Sequence, residues 1–238
     1  MREKISVALA SYNGEKYIKE QVESILANLQ EGDELVISDD GSRDRTLEII
    51  GSLSDPRIKV VKGPGRGIKK NFENAIANCG GKYIFLSDQD DIWEKEKVDT
   101  CLKHFTEGVN VVVHDCRVVD DEGNTVIPSF KEFRGLGPGV IKNIWKNTYI
   151  GCCMAFRADL KDTVIPVPNN IEMHDQWIGI LGELKGKSIF IDDKLIRYRR
   201  HGDNASEIAH HHPVMVMIRN RWNLVWNVLK RLSFKVAS

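Results

Sequence analysis

Two short apolar runs in this sequence each end in a cluster of aspartates, and that repeat constrains the fold more than any other feature. Residues 82–86, Lys-Tyr-Ile-Phe-Leu, read as a buried β-strand and run into Ser87-Asp88-Gln89-Asp90-Asp91-Ile92-Trp93. Residues 34–38, Glu-Leu-Val-Ile-Ser, run the same way into Asp39-Asp40-Gly41-Ser42. Carboxylates crowded at a strand end repel one another, so a positive group is expected to offset them. Hard oxygen ligands of this kind suit Mn²⁺ or Mg²⁺, which in turn suit phosphate oxygens. For either cluster alone, an acidic turn that caps the next helix is the competing explanation. Two such strand ends in one open α/β sheet converge on one crevice, where folds of this kind bind their ligands.

The first half of the chain alternates strand and helix patterns. Strands are expected at residues 5–10, 35–38, 58–61 and 83–86, with helices at 15–29, around Leu47, Ile49 and Ile50, and at 72–77. That order predicts a mainly parallel sheet with right-handed crossovers. The second half is richer in strand. Residues 109–119 read as a long strand ending in a turn at 120–124, 149–156 as a buried strand, 175–184 as a helix, and 189–191 and 195–198 as two further strands. Glycine-rich 135–139 is a breaker and a candidate boundary between halves. Segments 63–67 and 182–188 match neither a dinucleotide fingerprint nor a P-loop, and both are expected to be turns.

At 238 residues the chain can form one large domain, or one domain with an appendage. Its 34 basic and 34 acidic residues cancel, which gives no support to a nucleic-acid partner. The charge is unevenly placed: no acidic residue follows Glu207, while Arg219, Arg221, Lys230, Arg231 and Lys235 do. Ile218, Trp222, Val225, Leu229 and Leu232 fall at helical spacing and predict an amphipathic helix over 214–232. Its basic flanks suit a peripheral membrane contact, and packing on the main domain or on a second subunit of a homodimer is the alternative. The five cysteines form no C-x-x-C pair, which fits a reduced setting. With neither a signal peptide nor a membrane-length apolar run, the expected location is the cytoplasm, at most peripheral to the inner face of the membrane.

Ser11-Tyr12-Asn13-Gly14, then Asp39-Asp40-Gly41-Ser42-Arg43-Asp44-Arg45-Thr46, then Ser87-Asp88-Gln89-Asp90-Asp91 form an ordered series of motifs. Residues 148–157, His174-Asp175-Gln176-Trp177 and Tyr198-Arg199-Arg200-His201-Gly202-Asp203-Asn204 extend it. Together they resemble the family 2 glycosyltransferases of GT-A fold, over roughly the first five sixths of the chain. The 89–93 and 198–204 elements are similar to those of bacterial enzymes that build capsule and O-antigen glycans, rhamnosyltransferases among them. The resemblance implies an α/β GT-A fold: a Rossmann-like, mainly parallel sheet flanked by helices, with a smaller β-containing acceptor side. It places a transferase domain at 1–209, with a nucleotide-sugar half at about 1–107 and an acceptor half at about 108–209, before the tail at 210–238. The implied reaction is inverting transfer from a UDP- or dTDP-linked sugar donor to a hydroxyl of a glycan or lipid-linked acceptor, with Mn²⁺ or Mg²⁺ as cofactor.

By this resemblance Ser11, Asn13 and the Asp39-Asp40 turn hold the nucleoside, Asp40 on the base and Asp39 as support or on the ribose side. A carboxylate can accept from an imide N–H or a ribose hydroxyl; capping of the next helix by 39–42 is the alternative. Lys69 (or Lys70) and Asn71 open the helix after the glycine turn, where a cation meets base or diphosphate, unless the lysine is simply solvated. Asp90 is implied as the metal ligand, Asp88 as a contact to ribose or to the metal's water shell, and Asp91 is read as a helix cap. His201 lies in a motif whose histidine, in relatives, returns to complete the metal site, and imidazole suits Mn²⁺. Asp175 matches the family's general base in a Glu-Asp element that here reads His174-Asp175; helix capping explains its position almost as well. Two other classes compete. A sugar-nucleotide nucleotidyltransferase would show a glycine-rich basic signature near the N-terminus, which residues 11–14 lack. A non-catalytic nucleotide-sugar-binding scaffold has no need of the intact set Asp40, Asp88, Asp90, Asp175 and His201.

Overall fold

The computed structural model describes residues 2–201 and 213–233. Four parallel strands, β1 (Ile5–Ser11), β2 (Glu34–Asp39), β3 (Ile58–Lys62) and β4 (Tyr83–Ser87), lie in the order β3-β2-β1-β4. Helices α1 (Ile18–Leu26), α2 (Thr46–Ser52) and α3 (Ile68–Ala77) make the crossovers. Every residue of β1 and β4 is buried, so both run mostly apolar, with serine as their only polar residue, as strands covered on both faces do. The helices cover them with faces spaced three and four residues apart: Ile18, Gln21, Val22 and Ile25 in α1, and Asn71, Phe72, Ala75 and Ile76 in α3.

Beyond β4 the chain forms β5 (Ile92–Trp93), α4 (Lys97–Lys103), β6 (Val109–Val119), β7 (Thr125–Ile127), α5 (Phe130–Arg134) and α6 (Val140–Trp145). It continues with β8 (Met154–Arg157), α7 (Lys161–Val164), α8 (His174–Lys185), β9 (Lys187–Arg199) and α9 (Val214–Ser233). β8 lies antiparallel between β4 and β6, and β9 runs parallel to β6. Among the described residues, one nine-stranded sheet therefore passes through both halves of the chain. It is parallel on the β3-β2-β1-β4 side, as expected, and mixed beyond.

Three expectations change. Residues 149–156 are not one strand: the chain makes a 3₁₀ turn at Gly151–Cys153 and only then enters β8. Gly151 sits against α8, where a Cβ would lie 3.2 Å from His174 Nε2, so the chain bends where it passes the helix. Residues 189–191 and 195–198 belong to a single strand, β9. Its polar centre, Asp192-Asp193-Lys194, looks like a turn, yet the β6 pairing carries on through irregular register there, and Lys131 Nζ pairs with Asp192 at 2.6 Å. Residues 182–185 are the last turn of α8 instead of a loop; Gly182 lets that helix approach β6, since a Cβ would stand 2.3 Å from Val111 Cγ2.

Close backbone approach at the base of β4 yields a test. A Cβ on Gly81 would lie 2.5 Å from Ile5 C and Ser6 N, whereas on Gly80 it would meet only Glu34 Oε1 at 3.4 Å. Gly81→Ala is expected to destabilise the fold by about 1–3 kcal/mol, the usual scale of overpacking, and Gly80→Ala hardly at all. Thermal melts of the two variants check this, and equal midpoints contradict it.

Candidate active site

The C-terminal ends of β1, β2 and β4 are neighbours: Ser11 stands opposite Asp39, and Leu9 opposite Ser87. A cleft of about 1420 Å³ opens there, lined by Ser11, Asp40, Asn71, Asp88 and Asp90 on one side and by Trp145, Asn147, Tyr149 and Asp175 on the other.

Ser11, Asn13 and Asp39 knit the first two strand-end loops into one wall. Ser11 Oγ donates to Asp39 Oδ2 at 3.0 Å, and Asp39 Oδ1 accepts from the amides of Gly41 (3.1 Å) and Ser42 (2.8 Å). Asn13, at φ 48°, donates its amide to Ser42 Oγ (2.8 Å) and accepts from the Arg43 amide (2.9 Å). The 39–42 turn does not cap α2, since Asp44 Oδ1 takes the Thr46 amide instead, at 3.0 Å. Asp40 accepts from the amides of Gly65 (2.7 Å) and Gly67 (2.8 Å). Both glycines have positive φ, 66° and 81°, so the carboxylate holds a turn that only glycine enters without strain. Asn71 donates to Ser11 O at 3.0 Å, and its buried Oδ1 has no partner among the described residues.

Lys69 is placed differently from expectation. Its ammonium donates to Asn169 O at 3.0 Å and to Ile171 O, and it is not among the cleft-lining residues. Carbonyls of the loop before α8 satisfy it, and burial lowers its pKa. Lys70 is likewise occupied, by Glu73 (2.7 Å) and Val167 O (2.8 Å).

The acidic segment after β4 is held by its backbone. Gln21, fully buried in α1, donates to Ser87 Oγ at 2.6 Å and to Asp88 O at 2.9 Å. Gln89 clasps Tyr12 with a pair of bonds, 2.9 Å from the Tyr12 amide and 3.1 Å to its carbonyl. Asp88 and Asp90 face the cleft, while Asp91 is buried behind them. Burial, then the charges of Asp90 and Asp175, push the Asp88 carboxyl up to about 7. Burial, then Asp90 and Asp88, raise Asp91 well above the usual range. Asp91 is not a helix cap. Residues 92–93 pair with β9 first, so α4 begins only at Lys97 with no side-chain cap. Asp91 Oδ1 instead accepts from the Arg199 amide at 3.1 Å, and its Oδ2 has no partner among the described residues.

His201 returns from 111 residues away to the second of the cleft-facing carboxylates. Its Nε2 lies 2.9 Å from Asp90 Oδ2, and its ring stacks on Tyr17 at a centroid distance of 4.5 Å. A second grouping, Asp88, Asp91 and Cys152, brings ligand atoms within 4.8 Å of one another. The Cys152 thiol is pushed well above the normal range, first by the adjacent Cys153 thiol and then by burial. A buried neutral thiol is a soft, poor partner for a hard cation. Two cleft-facing carboxylates and an imidazole fit Mn²⁺ or Mg²⁺ better at Asp88, Asp90 and His201.

Asp175 sits buried in the first turn of α8, on the opposite wall. It does not cap that helix, whose N-cap position is Met173. Its Oδ1 accepts from Asn147 Nδ2 at 3.2 Å and from the Gln176 amide at 2.6 Å. Burial still pushes the carboxyl up to about 6. His174 stacks on Phe72 at 4.1 Å, and burial pushes its pKa down to about 3, so the ring is neutral and places no positive charge beside Asp175.

Gln21, Gln89 and Asn147 were not among the expected site residues. Gln21 carried a signal, a polar residue on the apolar face formed by Ile18, Val22 and Ile25; Asn147 carried none, since its role exists only once α6 and α8 meet. Gly202, Asp203 and Asn204 of the last motif, and the 209/210 boundary, lie outside the described residues.

An acidic cleft at the C-terminal ends of parallel strands, continued by a mixed sheet, is the layout of a GT-A glycosyltransferase. Residues 6–164 match the model of the family described as Glycosyl transferase family 2, and the chain belongs to it. The dTDP-rhamnosyl transferase RfbG of Shigella flexneri is 32% identical over 244 aligned residues, covering 90% of this chain and 80% of that protein. Other curated relatives are longer, and the chain spans 11% to 66% of their length. Among solved structures, Staphylococcus aureus TarS 1-349 in complex with UDP-GlcNAc matches with a TM-score of 0.69 at 20% identity, over 96% of this chain and 72% of that one. The mannosyltransferase PcManGT of Pyrobaculum calidifontis, in complex with GDP-Man and Mn²⁺, matches with a TM-score of 0.65 at 15% identity, over 100% of this chain and 75% of that one.

The brace at Asp40 is directly testable. Asp40→Ala should speed hydrogen exchange of the Gly65 and Gly67 amides and leave the β1 amides protected. Unchanged exchange at both glycines contradicts the assignment.

Proposed function

We propose that the cleft binds a nucleoside diphosphate sugar with a divalent cation and transfers the sugar, with inversion, to an acceptor hydroxyl. The observation that carries this reading is the opposition of Asp88 and Asp90 to Asp175 across one cleft. Mn²⁺ or Mg²⁺, held by Asp90 and His201 with Asp88 at its water shell or on the ribose, would neutralise charge on the departing diphosphate as a Lewis acid. PcManGT, of similar fold, is complexed with that kind of ligand and ion. Asp40, the wall formed by Ser11, Asn13 and Asp39, and the free Oδ1 of Asn71 serve the nucleoside. Lys69 serves it only indirectly, by tying α3 to the loop before α8. RfbG, a dTDP-rhamnosyl transferase, favours a dTDP- or UDP-linked donor, and bacterial surface polysaccharide synthesis in the cytoplasm is the setting implied by the motifs.

Asp175 is the general base. Asn147 and the Gln176 amide fix one carboxylate oxygen and leave the other to take the acceptor proton as the hydroxyl attacks the anomeric carbon. A base on the wall facing the leaving group gives a single in-line displacement. A carboxyl held at about 6 is mostly ionised at neutral pH yet a stronger base than an exposed aspartate.

Turnover should fall as pH drops through about 6, where Asp175 takes a proton. Asp175→Asn should lower kcat about 10²- to 10⁴-fold, with donor affinity nearly unchanged. Stability supplies a control with the opposite sign. A buried acid whose folded pKa is raised stabilises the protein most below its unfolded pKa and loses that contribution as pH rises through about 6. Asp175→Asn should therefore melt no lower than the native chain at pH 8. A product of retained anomeric configuration contradicts the mechanism.

Chelation should abolish turnover, and Mn²⁺ or Mg²⁺ should restore it. Asp90→Asn should lose metal-assisted turnover and remain folded by circular dichroism. Full activity in excess chelator contradicts the cation's role.

A further inference from the structure

Helix α9 presents two different faces. Toward the domain, Leu224 and Val228 are buried, and Arg231 donates to Thr163 O and Pro166 O. Met217, Asn220, Arg221 and Leu224 line the cleft at its Trp145 end. The spacing of Ile218, Trp222 and Leu229 predicts a stripe that either docks or meets another surface, and those residues point outward. Met215, Ile218, Trp222, Trp226 and Leu229 form one outer stripe with exposures of 79%, 56%, 68%, 49% and 55%. Beside it, α6 leaves Ile141 and Trp145 exposed, at 74% and 66%, and Arg221 of α9 donates to Trp145 O at 2.7 Å.

We propose that this outer stripe seats α9 on an anionic lipid surface. Arg219 and Lys230 flank it, and the sequence carries no acidic residue from position 208 onward. No helix among the described residues is long and apolar enough to cross a membrane, so α9 lies along the surface over its length of about 30 Å. A second copy of the chain is the poorer occupant. A two-fold interface sets the same patch of each copy against the other, so the cations of one helix would face an equally basic helix with no acid on it to answer them. An anionic bilayer takes both the cations and the apolar stripe, and Trp222 and Trp226 have the amphipathic rings that settle at a membrane–water boundary.

Function follows from the two faces belonging to one helix. Lipid under the outer face brings the Trp145 end of the cleft to the bilayer, where an acceptor carrying a lipid anchor can present its hydroxyl toward Asp175. That last step rests on the transferase reading above; the lipid contact does not.

Cosedimentation of the intact chain with vesicles tests the inference, comparing phosphatidylglycerol–phosphatidylcholine mixtures with pure phosphatidylcholine at low salt. Binding to the anionic vesicles alone, weakening as salt rises, is expected. Trp222→Ser with Leu229→Ser, and separately Arg219→Glu with Lys230→Glu, should each weaken it by about tenfold or more, with donor hydrolysis in solution unchanged. The proposal is overturned if the intact chain stays in the supernatant at low salt, or if the Trp222/Leu229 variant binds as well as the native chain. It is also overturned if sedimentation velocity shows a dimer that this variant splits. Vesicle binding without donor hydrolysis supports the lipid contact and counts against the transferase reading alone.

Discussion

Negative charge confined to a poorly solvated strand end is the constraint around which this protein is arranged. Asp88, Asp90 and Asp91 follow a fully buried strand, and Asp175 faces them across the cleft. The raised pKa values of Asp88, Asp91 and Asp175 all have burial as their first cause, so these acids are held where water cannot solvate them well. A fold tolerates that arrangement when a ligand needs it: a divalent cation brings positive charge to such a cluster and joins it to the oxygens of a diphosphate.

Much of the surrounding structure holds these carboxylates in place. Gln21 holds the Ser87 hydroxyl and the Asp88 carbonyl, and Gln89 ties the next residue to the Tyr12 backbone. Lys97, fully buried, donates to Cys152 O at 2.8 Å and lies 3.7 Å from the Trp93 ring centre, which sets a buried ammonium behind the acidic turn. At the end of β2, Asp39 and Asp40 hold the neighbouring loops, and their carboxylates are committed to backbone amides. Preorganisation of this kind leaves less to be ordered when a donor binds.

The parallel half of the sheet was legible because its strands are short, mostly apolar runs, interrupted by Ser6 in β1 and Lys59 in β3, and its helices carry apolar faces. The second half was less so. Gly151-Cys152-Cys153 looks like buried strand by composition and turns because α8 lies against it; Asp192-Asp193-Lys194 looks like a turn and stays in the sheet because β6 pairs alongside. At the site, Asp88, Asp90, Asp175 and His201 were legible as motif members, and the structure brings Asp90 and His201 into contact. Lys69 illustrates the limit. A lysine at a helix start has the same sequence signature whether it meets a ligand or a neighbouring carbonyl, and only the packing of the 169–171 loop decides. The stripe of α9 was legible as a stripe, but its direction depends on Leu224 and Val228 being the residues that dock.

The central claim is that the acidic cleft holds a cation through Asp90 and His201. Mn²⁺ electron spin echo measurements on the chain with UDP test it most directly. One ion per chain is predicted, with nitrogen modulation from a single imidazole that disappears in His201→Gln. Mn²⁺ that shows no nitrogen coupling in the native chain, or that fails to bind in the presence of UDP, would contradict it.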